Sequence, residues 1–169
     1  DENDIDRRFP NELKFKQQLK QGMLSQTAIV SYGKCLFVIR AFPKALFTSE
    51  EPELYKEALN RYREIQRLIL IEPNKNLLPL LHITPIIDVI EVSNTIFTLR
   101  QYYYYNLKER MYKLPYLTYT EKLFIIFQLL FAVSELHERG IVHGDIKLEN
   151  IMLTSNGSVF LVDIASYKP

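Results

Sequence analysis

Apolar residues in the first hundred positions come in short runs punctuated by turn residues, which is the pattern of strands. Phe15 to Ile39 reads this way. Thr27 to Tyr32 is rich in β-formers, Gly33-Lys34 makes a turn, and Cys35 to Phe42 is a buried strand with one charge, Arg40, inside it. From Pro52 to Ile71 the spacing changes to three and four residues, at Leu54, Leu59, Tyr62, Ile65, Leu68 and Ile69, which predicts a helix started by Ser49 or Glu50-Glu51 and stopped by Pro73-Asn74. Two more strands come after it, Pro85–Val92 and Asn94–Leu99, with Ser93-Asn94 at the turn. Asn106–Met111 reads as a short helix. Thr118-Tyr119-Thr120-Glu121 is a capping-box signature opening a long helix to Arg139. Its stripe is Leu123, Ile126, Phe127, Leu130, Val133, Leu136 and His137, but Ile125, Leu129, Phe131 and Ala132 make the other side apolar too, as in a helix central to its domain. Gly140 ends it. Asp1 to Gln17 is charged and without clear period, an extension or first turn ahead of the fold.

After Gly140 the pattern delivers a cluster of chemistry. His143-Gly144-Asp145-Ile146-Lys147-Leu148-Glu149-Asn150 precedes two short apolar runs, Ile151–Leu153 and Val159–Val162, joined by Thr154 to Ser158 with the hairpin signal Asn156-Gly157. Asp163-Ile164-Ala165 comes next. A hairpin returns its ends to one place, so Asn150 and Asp163 should be neighbours, with Asp145 close by. An amide oxygen and a carboxylate converging on one point suit a hard cation such as magnesium. A further carboxylate can orient a hydroxyl, and a lysine two residues on can neutralise a phosphate, which is the equipment of phosphoryl transfer. Taken singly, Asp145 and Asn150 are ordinary turn residues and Asp163 a solvated cap. The ordered set is more specific.

Composition narrows the class. The 169 residues suffice for a real core, with 47% hydrophobic and 24% charged residues, as in a globular protein. A formal charge of +1 argues against general nucleic-acid or membrane-surface binding. The single Cys35 has no internal disulfide partner and no secretory signal is evident, so a cytoplasmic compartment is expected. His82, His137 and His143 show no metal-ligand spacing with Cys35. The start at Asp1 and the stop at Pro169 read as the ends of a fragment whose fold would continue.

The spacing H-x-D-x-x-x-x-N followed by D-x-x resembles the catalytic and metal-binding loops of protein kinases. The fold this implies is α+β and protein-kinase-like: an N-lobe complete with a five-stranded antiparallel sheet and one helix, and a C-lobe truncated after the metal-binding loop. Residues 1–14 would be an extension, 15–102 the N-lobe and hinge, and 103–169 the start of the C-lobe. His-Gly-Asp-Ile-Lys-x-Glu-Asn, Asp-x-Ala-Ser-x-Lys-Pro at the end and Arg-Gln-Tyr at 100–102 together look like the kinase-like regulatory subunits of class III phosphatidylinositol 3-kinase, from about Phe15 to Pro169.

What the resemblance implies is ATP and Mg²⁺ as cofactors. Asp145 and Lys147 would be catalytic, orienting the substrate hydroxyl and leaning on the terminal phosphate, while Asn150 and Asp163 would hold the metal. Gly22, Arg40, Glu64, Arg100, Gln101, Tyr102 and Met152 would surround the nucleotide. Within that set Arg40 stands for the usual strand lysine and pairs with Glu64, unless Glu64 lies on a solvated helix face. Residues 100–102 supply the hinge; the Tyr102–Tyr105 run could instead stack on bases, but no basic groove accompanies it. His143 packs. The implied partners are a class III phosphatidylinositol 3-kinase catalytic subunit and a Beclin-like protein, on endosomal and autophagic membranes. Four departures weigh against phosphotransfer: Gly22 stands almost alone where a glycine-rich loop is usual, Arg40 replaces Lys, Ile164 replaces an aromatic, and Ala165 replaces Gly. Gly144 also removes an arginine that would clasp an activation-segment phosphate. Two functions remain: a regulatory kinase-like subunit that binds nucleotide, and a working Ser/Thr protein kinase.

Overall fold

A computed structural model describes residues 13–21, 25–46, 52–71 and 80–165. Gly22, the one expected loop glycine, lies outside them, as do the expected start and stop of the first helix at 49–51 and 73–74 and the terminal residues 166–169. The chain divides into two units, residues 1–66 with 86–102 and residues 67–85 with 103–169.

The first unit is a five-stranded antiparallel sheet in the order β1-β2-β3-β5-β4, with one long helix. Its strands are β1 (Lys14–Gln21), β2 (Gln26–Tyr32), β3 (Cys35–Pro43), β4 (Asp88–Val92) and β5 (Thr95–Gln101). Strand β1 therefore begins inside the stretch expected to precede the fold. The β4–β5 turn places Ser93 at φ 48° and Asn94 at φ 60°, the two left-handed positions of a type I′ hairpin. Alternation sorts the side chains by face. Ala28, Val30, Ile39 and Phe97 form a core that Phe15, Phe37, Ala41 and Leu99 flank. On β3 the opposite parity carries Val38, Arg40 and Phe42, and the Phe42 ring lies 5.2 Å from Tyr62.

Tyr62 belongs to helix α1 (Pro52–Gln66), whose buried face is Tyr55, Ala58, Leu59, Tyr62 and Ile65. Burial, and then the Glu91 carboxylate beside it, push the Tyr55 phenol up to about 12. Leu54, one of the apolar positions in the predicted stripe, is exposed; its neighbour Tyr55 takes the inward place.

The second unit holds a turn of π-helix (Arg67–Ile71), then β6 (Tyr105–Asn106), α2 (Leu107–Met111), α3 (Tyr119–His137), β7 (Ile151–Leu153) and β8 (Val159–Leu161). Thr118 caps α3 through the expected box: its hydroxyl accepts from the Glu121 N–H, and the Glu121 carboxylate accepts from the Thr118 N–H. At the other end Gly140 takes φ 69°, its N–H donates to His137 O, and the Ile141 N–H reaches back to Leu136 O. That pair of bonds is the glycine-dependent Schellman stop.

The buried face of α3 differs from the predicted stripe. It is Ile125, Gln128, Ala132, Glu135 and Leu136, while Leu123, Ile126, Phe127 and Leu130 are exposed among the described residues. Periodicity cannot orient a helix that is apolar on both sides. The deciding groups are two polar side chains with backbone partners. Gln128 Nε2 donates to Gly157 O at 3.0 Å and its Oε1 accepts from Val159 N at 3.0 Å. Glu135, 3% exposed, accepts from the N–H groups of Leu81 and His82 at 2.7 and 3.1 Å. Residues 80–85 are thereby held in the second unit, with Ile83 bridged in parallel to Leu161. A single cut after residue 102 therefore does not describe the packing, because the described residues 67–71 and 80–85 group with those that follow residue 102.

Candidate functional site

Within the second unit, the β7–β8 hairpin brings the ends of two loops together as its register requires. Ile151 pairs with Leu161, Val162 N donates to Asn150 O at 3.0 Å, and Asp163 comes next. A single 3₁₀ turn, Leu148–Asn150, feeds Asn150 into β7. The Asn150 side chain is buried. Its Nδ2 donates to Asp145 O at 2.8 Å and to Asp145 Oδ2 at 3.0 Å. Lys147 Nζ sits on the same Oδ2 at 2.7 Å. The three residues picked out within six positions of sequence are thus one hydrogen-bonded cluster around a single carboxylate.

His143 underlies it. The ring is buried; Nε2 donates to Val162 O at 3.0 Å, and Nδ1 accepts from Asp145 N at 3.3 Å. These partners fix the neutral tautomer. Burial holds the imidazole below its ordinary value, outweighing the Val162 carbonyl and the nearby Asp145 and Asp163. His143 is a packing residue that joins the two loops. Ala165 N completes the join by donating to His143 O at 2.8 Å.

Asp163 adopts φ 63°, a left-handed conformation that costs a non-glycine residue about 1–2 kcal/mol. Such strain persists where surrounding structure over-determines it. Met152 is buried in β7, opposite Asn106 of β6 and Phe160 of β8. Behind β8 the Tyr103 ring stacks on Phe160 at 5.2 Å, and Thr84 Oγ1 donates to the Tyr103 hydroxyl at 3.0 Å. Nothing in the composition pointed to Thr84, Gln128 or Glu135 as supports of the site. The usable signal was a polar residue inside an apolar helical run.

The donor set suits magnesium. Among the described residues no three His, Cys, Asp or Glu side chains gather as a ready-made cage. Magnesium does not need one, since it is usually held by one or two carboxylates together with substrate phosphates and water. The carboxylate of Asp163 and the amide oxygen of Asn150 would be its protein ligands, with Asn150 already oriented through its other amide atom. The bound metal would supply neutralisation of phosphate charge.

The remaining candidates lie in the first unit. Arg40 is fixed at its backbone between Thr27 of β2 and Thr98 of β5. Its guanidinium reaches Ser25 Oγ at 3.5 Å and lies 5.0 Å from the centre of the Phe42 ring. Glu64 takes Arg61, three residues back on its own helix, at 3.0 Å, with its side chain half exposed. The expected partnership of Glu64 with Arg40 thus gives way to a pair along the helix surface. Arg61 lies three residues back on the same helix, within reach of the Glu64 carboxylate. In the hinge, Tyr102 N donates to Leu36 O at 3.2 Å and Arg100 Nη1 donates to Gln101 O at 3.0 Å.

Comparison with known proteins agrees with this architecture. The family model described as the protein kinase domain matches residues 44–166. The "Probable serine/threonine-protein kinase vps15" of Dictyostelium discoideum is 35% identical over 155 residues, 92% of this chain and 7% of the relative. The "Serine/threonine-protein kinase VPS15" of Arabidopsis thaliana is 44% identical over 88 residues, 52% of the chain and 6% of the relative. Its counterpart in Saccharomyces cerevisiae is 41% identical over 86 residues, 51% and 6%. The chain therefore spans less than a tenth of the length of these three relatives. With the sheet, the hairpin and the Asp145–Asn150 cluster in place, the chain belongs to the protein kinase domain family, as a VPS15-like member.

Proposed function

We propose that this chain is the nucleotide-binding part of a kinase-like regulatory subunit of class III phosphatidylinositol 3-kinase. In this reading it binds Mg-ATP or another nucleotide, transfers phosphate weakly or not at all, and serves endosomal sorting and autophagy from the cytoplasmic face of those membranes. Its partners are the lipid kinase and a Beclin-like protein. The observation that carries the nucleotide reading is the Asp145 cluster, in which Asn150 and Lys147 are hydrogen-bonded to one carboxylate beside the strand that leads to Asp163.

By role, Asp145 orients a hydroxyl, Lys147 offers positive charge to a phosphate, and Asn150 with Asp163 hold the metal. Lys147 already contacts Asp145, so an arriving phosphate shares that ammonium rather than receiving one with no other contact. Weak transfer is favoured by the first unit, where Glu64 pairs with Arg61 and a planar guanidinium stands at position 40.

The test is thermal unfolding of the full-length protein with ATP and magnesium. Ligand at about a hundred times its dissociation constant adds roughly 2.7 kcal/mol. The shift is expected to need magnesium and to disappear in Asp163→Ala. No shift at millimolar nucleotide would leave the kinase residues as architecture alone. A second reading, a working Ser/Thr protein kinase, is favoured by the intact set Asp145, Lys147, Asn150 and Asp163. Arg40→Lys separates the two: a dormant kinase gains turnover, a pure scaffold shows none.

A further inference from the structure

Two residues that depart from the usual kinase pattern, Gly144 and Ala165, touch in space. Gly144 has φ 73°, and a Cβ placed on it would lie 3.2 Å from the Cβ of Ala165. Ala165 has little room to retreat, since it is buried and its N–H is bonded to His143 O at 2.8 Å. His143 is itself bonded to Val162 O at 3.0 Å. His143 is thus hydrogen-bonded to Val162 and Ala165 on either side of Asp163, with Gly144 packed against Ala165 and the Asp145 N–H bonded to the His143 ring. A methyl at position 144 would crowd the methyl of Ala165, which would have to give by a few tenths of an ångström.

We infer that Gly144 and Ala165 are a matched pair that locks the Asp163 loop in one conformation. Each departure makes sense through the other. A glycine at 165 would release the backbone on the far side of Asp163, because a residue without Cβ has far more accessible conformations. The alanine methyl removes that freedom, and the left-handed glycine at 144 makes space for it. The pair positions the Asp163 carboxylate without help from an activation segment. That last step rests on the nucleotide-binding role proposed above; the lock itself does not.

The test has one arm that needs no nucleotide. In the full-length protein, Ala165→Gly is expected to speed hydrogen exchange of the amide at position 165 by roughly threefold or more. Gly144→Ala is expected to be strongly destabilising, and its cost in the unfolding constant should shrink about fivefold when Ala165→Gly is already present. Additive effects of the two substitutions, or unchanged exchange in Ala165→Gly, would overturn the lock. If Gly144→Ala does not fold in either background, the exchange rate in Ala165→Gly decides alone. The second arm is the magnesium midpoint for nucleotide binding, expected to rise roughly threefold in Ala165→Gly, with Ala165→Ser restoring it. Faster exchange with no magnesium-dependent binding in the parent protein would keep the lock and remove the nucleotide reading. Unchanged exchange with binding intact would do the reverse.

Discussion

Asp145 in the second unit and Arg40 in the first are both expected site residues, and their surroundings differ. Around Asp145 the backbone does the holding. Its carbonyl accepts from Asn150, its N–H donates to His143, and its carboxylate takes both Asn150 and Lys147. Around Arg40 the backbone is equally well paired, between Thr27 and Thr98, but that fixes only the root of a long side chain. The guanidinium makes a long contact to a serine hydroxyl and lies over a ring face. At Asp145 the neighbouring side chains bond to both the peptide group and the carboxylate, whereas the strand partners of Arg40 engage its main chain and Ser25 and Phe42 meet its guanidinium.

The sharpest way to break this comparison is to remove a support of the second unit. Glu135→Leu leaves the N–H groups of Leu81 and His82 without their buried carboxylate acceptor, in a partly buried place. It is expected to cost about 2–4 kcal/mol in denaturant unfolding. A loss under about 1 kcal/mol would mean that water replaces the carboxylate and that the anchoring is dispensable.

Next in size is the pH dependence carried by His143. Its folded value lies below the ordinary value of about 6.5 because the ring is buried, so between the two values the unfolded chain binds more protons. Stability is expected to fall as pH drops below about 6.5, by at most one proton's worth of slope from this residue. The physical cause is visible: a second proton would set Nδ1–H against the Asp145 N–H that now donates to it. A pH titration of unfolding in which His143→Gln keeps the same slope would assign the effect elsewhere.

The smallest expected effect sharpens the other side. Glu64→Gln removes only a half-exposed pair with Arg61, so stability should change by no more than about 0.5 kcal/mol and nucleotide affinity by less than about twofold. A tenfold loss of affinity would show that Glu64 turns toward Arg40 when nucleotide arrives.

Much of this was legible in the chain. The strand runs, the Thr118 capping box, the Gly140 stop and the return of the hairpin ends obey short-range rules that tertiary context did not override. The proximity of Asp145, Lys147 and Asn150 was legible because all three lie within one turn-and-strand unit. Three things were not. The outward side of α3 could not be chosen, because both sides are apolar and the choice lay with Gln128 and Glu135. The partner of Glu64 is Arg61, one of several charged neighbours along its own helix among which spacing alone does not choose. The contact of Gly144 with Ala165 joins positions twenty-one residues apart through loop backbone, for which periodicity gives no signal.

The chain passes between its two units three times, after residues 66, 85 and 102. This makes the boundary at 102 a poor place to divide the protein. A polypeptide ending there would still carry residues 80–85 but none of their partners. It would lack the carboxylate of Glu135, the carbonyl of Val159, which His82 Nδ1 contacts at 2.9 Å, and the Leu161 main chain, bonded to both His82 and Thr84. Conversely, a protease that nicks the native chain at this point would not liberate two products. Residues 81–84 of the upstream piece would still be hydrogen-bonded to Glu135, Val159 and Leu161 of the downstream one.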